Sequence, residues 1–129
     1  MKKKILIVSA NYYKDITKGL ISSALKLIPK TSRVKIIEVP GTFEIPMVIS
    51  RNINKYDAFL ALGCVIKGKT PHFDFISQAS INAIMDLSIT SKKPIGNGII
   101  TCLNMSQAKA RKIKGAEAAK AVISILSLK

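Results

Sequence analysis

The stretch Lys67–Asp74 holds two lysines, a threonine hydroxyl, a proline and the only histidine of the chain. Pro71 suits the first turn of a helix, where its missing N–H costs nothing. A helix start offers unpaired backbone N–H groups and the positive end of the helix dipole, so it can hold a phosphate. Lys67, Lys69 and the Thr70 hydroxyl would add to such a site. An imidazole one residue into the helix could take and return a proton near neutral pH. The plainer alternative is an exposed loop with an incidental histidine.

The run Gly63-Cys64-Val65-Ile66-Lys67-Gly68-Lys69-Thr70 also fits the phosphate-loop pattern of nucleotide hydrolases letter by letter. Its context speaks against that reading. Gly63 lies inside an apolar run, and Cys64-Val65-Ile66 favour strand geometry over a loop that curls around phosphates. Pro71 removes a backbone donor where the helix begins. No apolar strand ends in an aspartate placed to hold magnesium.

A second unusual segment is Pro40-Gly41-Thr42-Phe43-Glu44-Ile45-Pro46. Pro–Gly forces a turn. It leaves the N–H groups of Thr42 and Phe43 and the Glu44 carboxylate at a helix start, a set that could bind a polyhydroxylated or heteroaromatic ligand. Glu44 reads equally as a helix-start carboxylate, and Phe43 as a core side chain. Tyr12 and Tyr13 could stack on a planar ring or merely cover the sheet edge. Arg111 and Lys114 could reach an anion or face solvent. Asp74 and Glu117 form no carboxylate pair.

Periodicity supplies the elements that must position these groups. Ile5–Ala10, Val34–Val39, Ala58–Ile66 and Pro94–Thr101 are short apolar runs that read as strands, the first and third apolar throughout. Between them, Ile16, Leu20, Ile21, Ala24, Leu25 and Ile28 share a helix face, with Asp15 as its cap and Pro29 beyond its end. A helix starts near Pro46 and would bury Met47, Val48 and Ile53. The helix after Pro71 would bury Phe75, Ile76, Ala79, Ala83, Ile84 and Leu87. Ser106 opens a short helix broken near Gly115, and Ala118, Ala119, Val122, Ile123 and Leu126 finish the last one. The βαβαβαβα order predicts an α/β protein with a four-stranded parallel sheet covered on both faces. Ligands bind beyond the carboxyl ends of such strands, which directs attention to Asn11–Asp15, Pro40–Pro46, Lys67–Asp74 and Cys102–Ser106.

The 129 residues predict one domain spanning 1–129. With 48% hydrophobic and 22% charged residues the chain is not disordered. Aromatics are 5% and Trp is absent, so the core is aliphatic. A net charge of +14 favours anionic partners. The lysines form no basic stripe interleaved with aromatics, so no nucleic acid is expected as a partner. Cys64 and Cys102 lack metal-ligand spacing and read as small buried hydrophobes in a reducing, cytoplasmic compartment. No apolar stretch approaches the roughly 20 residues of a membrane span, and no membrane partner is expected. Lys2-Lys3-Lys4 before Ile5–Val8 imitates a signal peptide, but its apolar part is too short.

Three segments together resemble the lumazine synthase family: Val39–Pro46, Ala61–Asp74 and Lys114–Ala119, in the family's order and spacing. The resemblance implies a flavodoxin-like three-layer α/β/α sandwich. It implies condensation of 5-amino-6-(D-ribitylamino)uracil with 3,4-dihydroxy-2-butanone 4-phosphate to 6,7-dimethyl-8-ribityllumazine, without metal or organic cofactor. By the same resemblance Tyr12 stacks on the pyrimidine ring, and Thr42, Phe43 and Glu44 bind the ribityl chain. Cys64, Val65 and Ile66 line the ring pocket. Lys69 and Thr70 hold the phosphate, Arg111 reaches it from an adjacent subunit, and His72 is the general acid/base. Asn97 falls in the ring pocket where many members carry an aromatic, which implies different packing there. Family sites form between neighbours of a homopentamer. The short Arg111–Lys114 connection and a chain that begins almost at its first strand imply a pentamer, or paired pentamers, rather than a sixty-subunit shell.

Overall fold

The computed structural model describes residues 2–128. The chain runs β1 (Lys4–Ala10), α1 (Lys14–Leu27), β2 (Arg33–Val39), a 3₁₀ turn (Thr42–Glu44), α2 (Ile45–Arg51), β3 (Ala58–Ile66), α3 (His72–Ser91), β4 (Ile95–Cys102), α4 (Met105–Ala110) and α5 (Lys114–Leu126). The four strands pair in parallel in the order β2-β1-β3-β4. Helices α1 and α5 pack on one face and α2 and α3 on the other. This is the expected three-layer α/β/α sandwich of flavodoxin-like type. The chain first winds outward from β1 to β2, then crosses back to β3 and β4. The crevice above the carboxyl ends of β1 and β3 is therefore the topological switch point, where sheets of this class bind ligands.

Strand alternation builds two cores. Ile5, Ile7, Leu60 and Leu62 meet Leu20 and Ala24 of α1 and Ala118, Ala119 and Val122 of α5. Leu6, Val8, Phe59 and Ala61 meet Ile45, Ile49 and Ile84. Burial of each large aliphatic side chain is worth about 1.5–3 kcal/mol, which makes the central strands the rigid base of everything above them.

Several local expectations are corrected. α1 begins at Lys14, so Asp15 sits inside its first turn and acts on the dipole rather than as the cap; Tyr13 holds the cap position without a side-chain bond. Leu25 is exposed. In α2 the buried residues are Ile45 and Ile49, one turn apart, and Met47 is 62% exposed. In α3 the inward face is Ser77, Ser80 and Ile84, with Phe73, Ile76 and Leu87 against the core, whereas Phe75 is 67% exposed and Ala79 faces out. α3 carries apolar residues around most of its circumference, so spacing alone fits more than one face. Asn104, not Ser106, caps α4: its side chain accepts the Gln107 N–H at 2.9 Å while Gln107 Oε1 accepts the Leu103 N–H at 2.8 Å, a reciprocal cap. Gly115 does not break a helix but lies in the first turn of α5. Among the described residues no helix is long and apolar enough to cross a membrane.

Candidate active site

A cavity of about 620 Å³ opens above the switch point. Tyr12 and Tyr13 border it after β1, Gly41–Glu44 after β2, and Cys64–Ile66 from the end of β3; Gly68, Thr70 and His72 come from the following loop, and Phe73 and Ile76 from α3. Ten of the residues singled out from sequence thus converge: Tyr12, Tyr13, Thr42, Phe43, Glu44, Cys64, Val65, Ile66, Thr70 and His72.

The loop after β3 leaves a row of backbone donors open. β3 runs through Ile66, and the Lys67 N–H still donates to the Cys102 carbonyl at 2.8 Å. Cys64, Val65 and Ile66 are strand residues, which disposes of the phosphate-loop reading of this stretch. Beyond Lys67 the ladder ends. Among the described residues no backbone carbonyl takes the N–H groups of Gly68, Lys69 or Thr70. Successive free N–H groups leading into the N-terminus of a 20-residue helix are donors of the kind that can hold an anion. The Thr70 hydroxyl accepts the His72 N–H at 3.4 Å, which ties the hydroxyl and the imidazole-bearing residue into one turn. His72 is exposed at the mouth.

The opposite wall is apolar and planar. Tyr12 is 76% and Phe43 59% exposed, large ring faces held open beside the cavity. Tyr12 meets Tyr13 edge to face at 4.9 Å between centroids, and Thr17 fixes the start of α1 by donating to the Ala10 carbonyl at 2.6 Å. Thr42 is buried, and its carbonyl accepts the Ser80 hydroxyl of α3 at 3.4 Å. Gly41 lets the Glu44 carboxylate fold close to the backbone, since a Cβ there would lie 3.2 Å from Glu44 Oε1.

Cys64 is a wall of this cavity and not a nucleophile. It is 6% exposed and free, as is the buried Cys102. Burial first, then the neighbouring Cys102, push its thiol up to about 12, against a smaller pull the other way from Arg111. Only the thiolate is strongly nucleophilic. At neutral pH the folded protein should therefore resist iodoacetamide at Cys64 and lose that resistance in urea, as read by mass spectrometry. The folded chain also keeps a proton that the unfolded chain releases above about pH 8.5. This contribution to stability is full below that pH and falls as the pH rises toward about 12.

Five residues singled out from sequence lie outside the cavity of this chain: Lys67, Lys69, Asn97, Arg111 and Lys114. Lys69 is exposed on its rim. Asn97 stands exposed on the edge strand β4, its Oδ1 accepting the Ile99 N–H at 3.1 Å. Arg111 ends α4 and folds back on β4, donating from Nη1 to the Thr101 carbonyl at 3.0 Å and, more weakly, to Cys102 Sγ at 3.9 Å. Phe73 and Ile76 were not anticipated as lining residues. Their three-residue spacing next to two small serines on one face is the signal that would have found them. Among the described residues no cluster of histidine, cysteine and carboxylate side chains is placed to hold a metal ion.

The sequence profile of the 6,7-dimethyl-8-ribityllumazine synthase family matches residues 2–129. A relative of that name from Methylobacterium radiotolerans is 42% identical, covering 98% of this chain and 82% of its own. Those of Agrobacterium fabrum and Bartonella tribocorum are each 40% identical, covering 99% and 100% of this chain and 95% and 93% of theirs.

Proposed function

Because this chain belongs to the 6,7-dimethyl-8-ribityllumazine synthase family, we propose how its residues divide the labour of that family's reaction. The chain is an enzyme of riboflavin biosynthesis. It condenses 5-amino-6-(D-ribitylamino)uracil with 3,4-dihydroxy-2-butanone 4-phosphate to 6,7-dimethyl-8-ribityllumazine, releasing phosphate and water. In the proposed arrangement Tyr12 stacks on the pyrimidine, whose edge is read by the backbone of Cys64, Val65 and Ile66. Thr42, Phe43 and Glu44 hold the ribityl chain. The phosphate sits on the loop N–H groups of Lys69 and Thr70 at the start of α3. The uracil's amine attacks the ketone, water leaves as the imine forms, phosphate is eliminated, and the ribityl-bearing nitrogen closes the ring with loss of a second water. His72, at the mouth between ring and phosphate, takes a proton and returns it as these groups leave. Holding two substrates in contact supplies several kcal/mol of the barrier, and the reaction needs no cofactor.

One observation carries this reading: a single cavity joins an anion-binding loop, an imidazole and open aromatic faces. Asn97 and Arg111 belong to it through a neighbour. Both stand at the β4 edge, outside the cavity of their own chain. A homo-oligomer in which one subunit's β4 edge closes the next subunit's cavity accounts for both, and the proposed assembly is a pentamer or a pair of pentamers in the cytoplasm. Light scattering should return five or ten subunit masses; a mass near sixty subunits overturns the assembly. Mixing both substrates with the protein should yield lumazine absorbance and fluorescence. Arg111→Ala should raise KM for the phosphate ester about 10- to 100-fold, the range of a lost charge-assisted hydrogen bond. An unchanged KM for that substrate removes Arg111 from the phosphate site.

A further inference from the structure

α5 starts without a cap of its own. Ile113 occupies the cap position in a helical conformation and offers no side-chain acceptor. Lys114, Gly115 and Glu117 donate their N–H groups to the carbonyls of Arg111, Lys112 and Ile113, which leaves Ala116 without a backbone acceptor among the described residues. The missing acceptor comes from another helix: Ser23 of α1 takes the Ala116 N–H on its Oγ at 3.0 Å. The same hydroxyl donates to the Lys112 carbonyl at 2.8 Å, nearer than its own helix's Leu20 carbonyl at 3.1 Å. One side chain therefore pins both ends of the Lys112–Ala116 turn.

The backbone around it has no room to move closer. A Cβ on Gly115 would lie 2.0 Å from the Leu20 carbonyl oxygen, so α5 rests directly on the backbone of α1. A Cβ on Gly19 would lie 2.4 Å from Lys112 Cδ, so the Lys112 stem lies in the groove that glycine opens. Leu20 is fully buried in the core, which makes α1 a fixed support. The turn that it holds begins at Arg111, whose carbonyl accepts the Lys114 N–H at 3.0 Å.

We propose that Ser23 is a positioning residue for the phosphate contact: by capping α5 from α1 it fixes the Arg111–Ala116 turn, and with it the backbone at the end of α4 from which the Arg111 guanidinium reaches along the end of β4. This rests on the reading that Arg111 binds the phosphate of the four-carbon substrate. Without the hydroxyl, Ala116 loses its acceptor and the Lys112 carbonyl keeps only the Gly115 N–H at 3.3 Å, so the tie from α1 to this turn is gone. Arg111 then samples orientations that do not meet the anion, while the uracil pocket, built from other loops, is untouched.

Steady-state kinetics on Ser23→Ala, Arg111→Ala and the double variant tests this. Ser23→Ala should raise KM for the phosphate ester about three- to tenfold, the effect of one hydrogen bond, with kcat and KM for the uracil within twofold of the parent. Ser23→Thr, which keeps the hydroxyl, should restore the parent KM. Added to Arg111→Ala, Ser23→Ala should change nothing further, because the two act through one contact. Should Ser23→Ala fold poorly, Ser23→Cys fills the same space with a weaker partner and should shift KM in the same direction. If Arg111→Ala leaves KM for the phosphate ester unchanged, the phosphate reading itself falls. If Arg111→Ala raises that KM but the Ser23 variants do not, or raise both substrates' KM alike, or add fully to Arg111→Ala, the positioning role is overturned.

Discussion

His72→Ala should lower kcat about 10²- to 10³-fold, the usual contribution of one positioned proton carrier, and leave thermal stability within about 0.5 kcal/mol of the parent, as exposed substitutions do. The asymmetry follows from position. His72 is exposed at the cavity mouth, where its backbone N–H donates to the Thr70 hydroxyl and, among the described residues, no protein group bonds its imidazole. Alanine keeps that N–H, so the loop and the start of α3 persist. The reaction nevertheless moves a proton at each dehydration, and no other imidazole exists in the chain to replace it. His72→Gln separates the two ways a histidine can help: glutamine can hydrogen-bond the same groups but cannot carry a proton, so it should be as slow as alanine. A glutamine variant near parental kcat would show that His72 only orients substrate. The residual rate of either variant should stay above that of the free substrates, because the proximity supplied by the cavity is independent of His72.

The sheet and the site were legible for the same reason. Continuous apolar runs rich in strand-formers and bounded by polar residues, such as Ala58–Ile66, read as central parallel strands, and the observed β3 has those bounds. Once the strands are parallel, the residues that follow each carboxyl end must meet above the sheet. The loops carrying Tyr12, Thr42–Glu44 and Thr70–His72 therefore converge without any knowledge of side-chain detail. Less legible was whatever depended on close approach. Pattern reading placed Phe75 inside and passed over Ser77 and Ser80, because hydrophobicity ranks phenylalanine above serine. The packed helix instead uses small residues where it nears the 3₁₀ turn, as the Ser80–Thr42 bond shows. Gly115 read as a breaker because its function lies in a contact with Leu20 that is remote in sequence. Asn97 and Arg111 were identified as chemistry-bearing residues, yet a single chain's fold puts them at an outer edge.

Gly63 shows how one backbone position ties the core to the site, and its substitution should be the most damaging single-methyl change near the cavity. Gly63 lies in β3 without a positive φ, so an alanine there meets no conformational penalty. The obstacle is space. A Cβ would lie 2.6 Å from Thr42 Cγ2 and 3.2 Å from the Ala10 Cβ. The Ala10 methyl is fixed to strand β1 and cannot retreat, so Thr42 must. Thr42 is buried, and its carbonyl is held by Ser80 of α3, so the displacement carries the whole Gly41–Glu44 turn away from the cavity. Gly63→Ala should destabilise the fold by about 1–3 kcal/mol, the usual cost of overpacking, and raise KM for the ribityl-bearing uracil more than KM for the phosphate ester, whose loop lies elsewhere. Gly63→Val should do both more severely. The diagnostic experiment is compensation. Thr42→Ser removes the offending methyl while keeping the hydroxyl, so Gly63→Ala combined with Thr42→Ser should recover most of the lost stability and uracil affinity, a coupling that denaturant melts and steady-state kinetics can each report. If the double variant is no better than Gly63→Ala alone, the damage does not pass through Thr42, and the 3₁₀ turn is not what Gly63 positions.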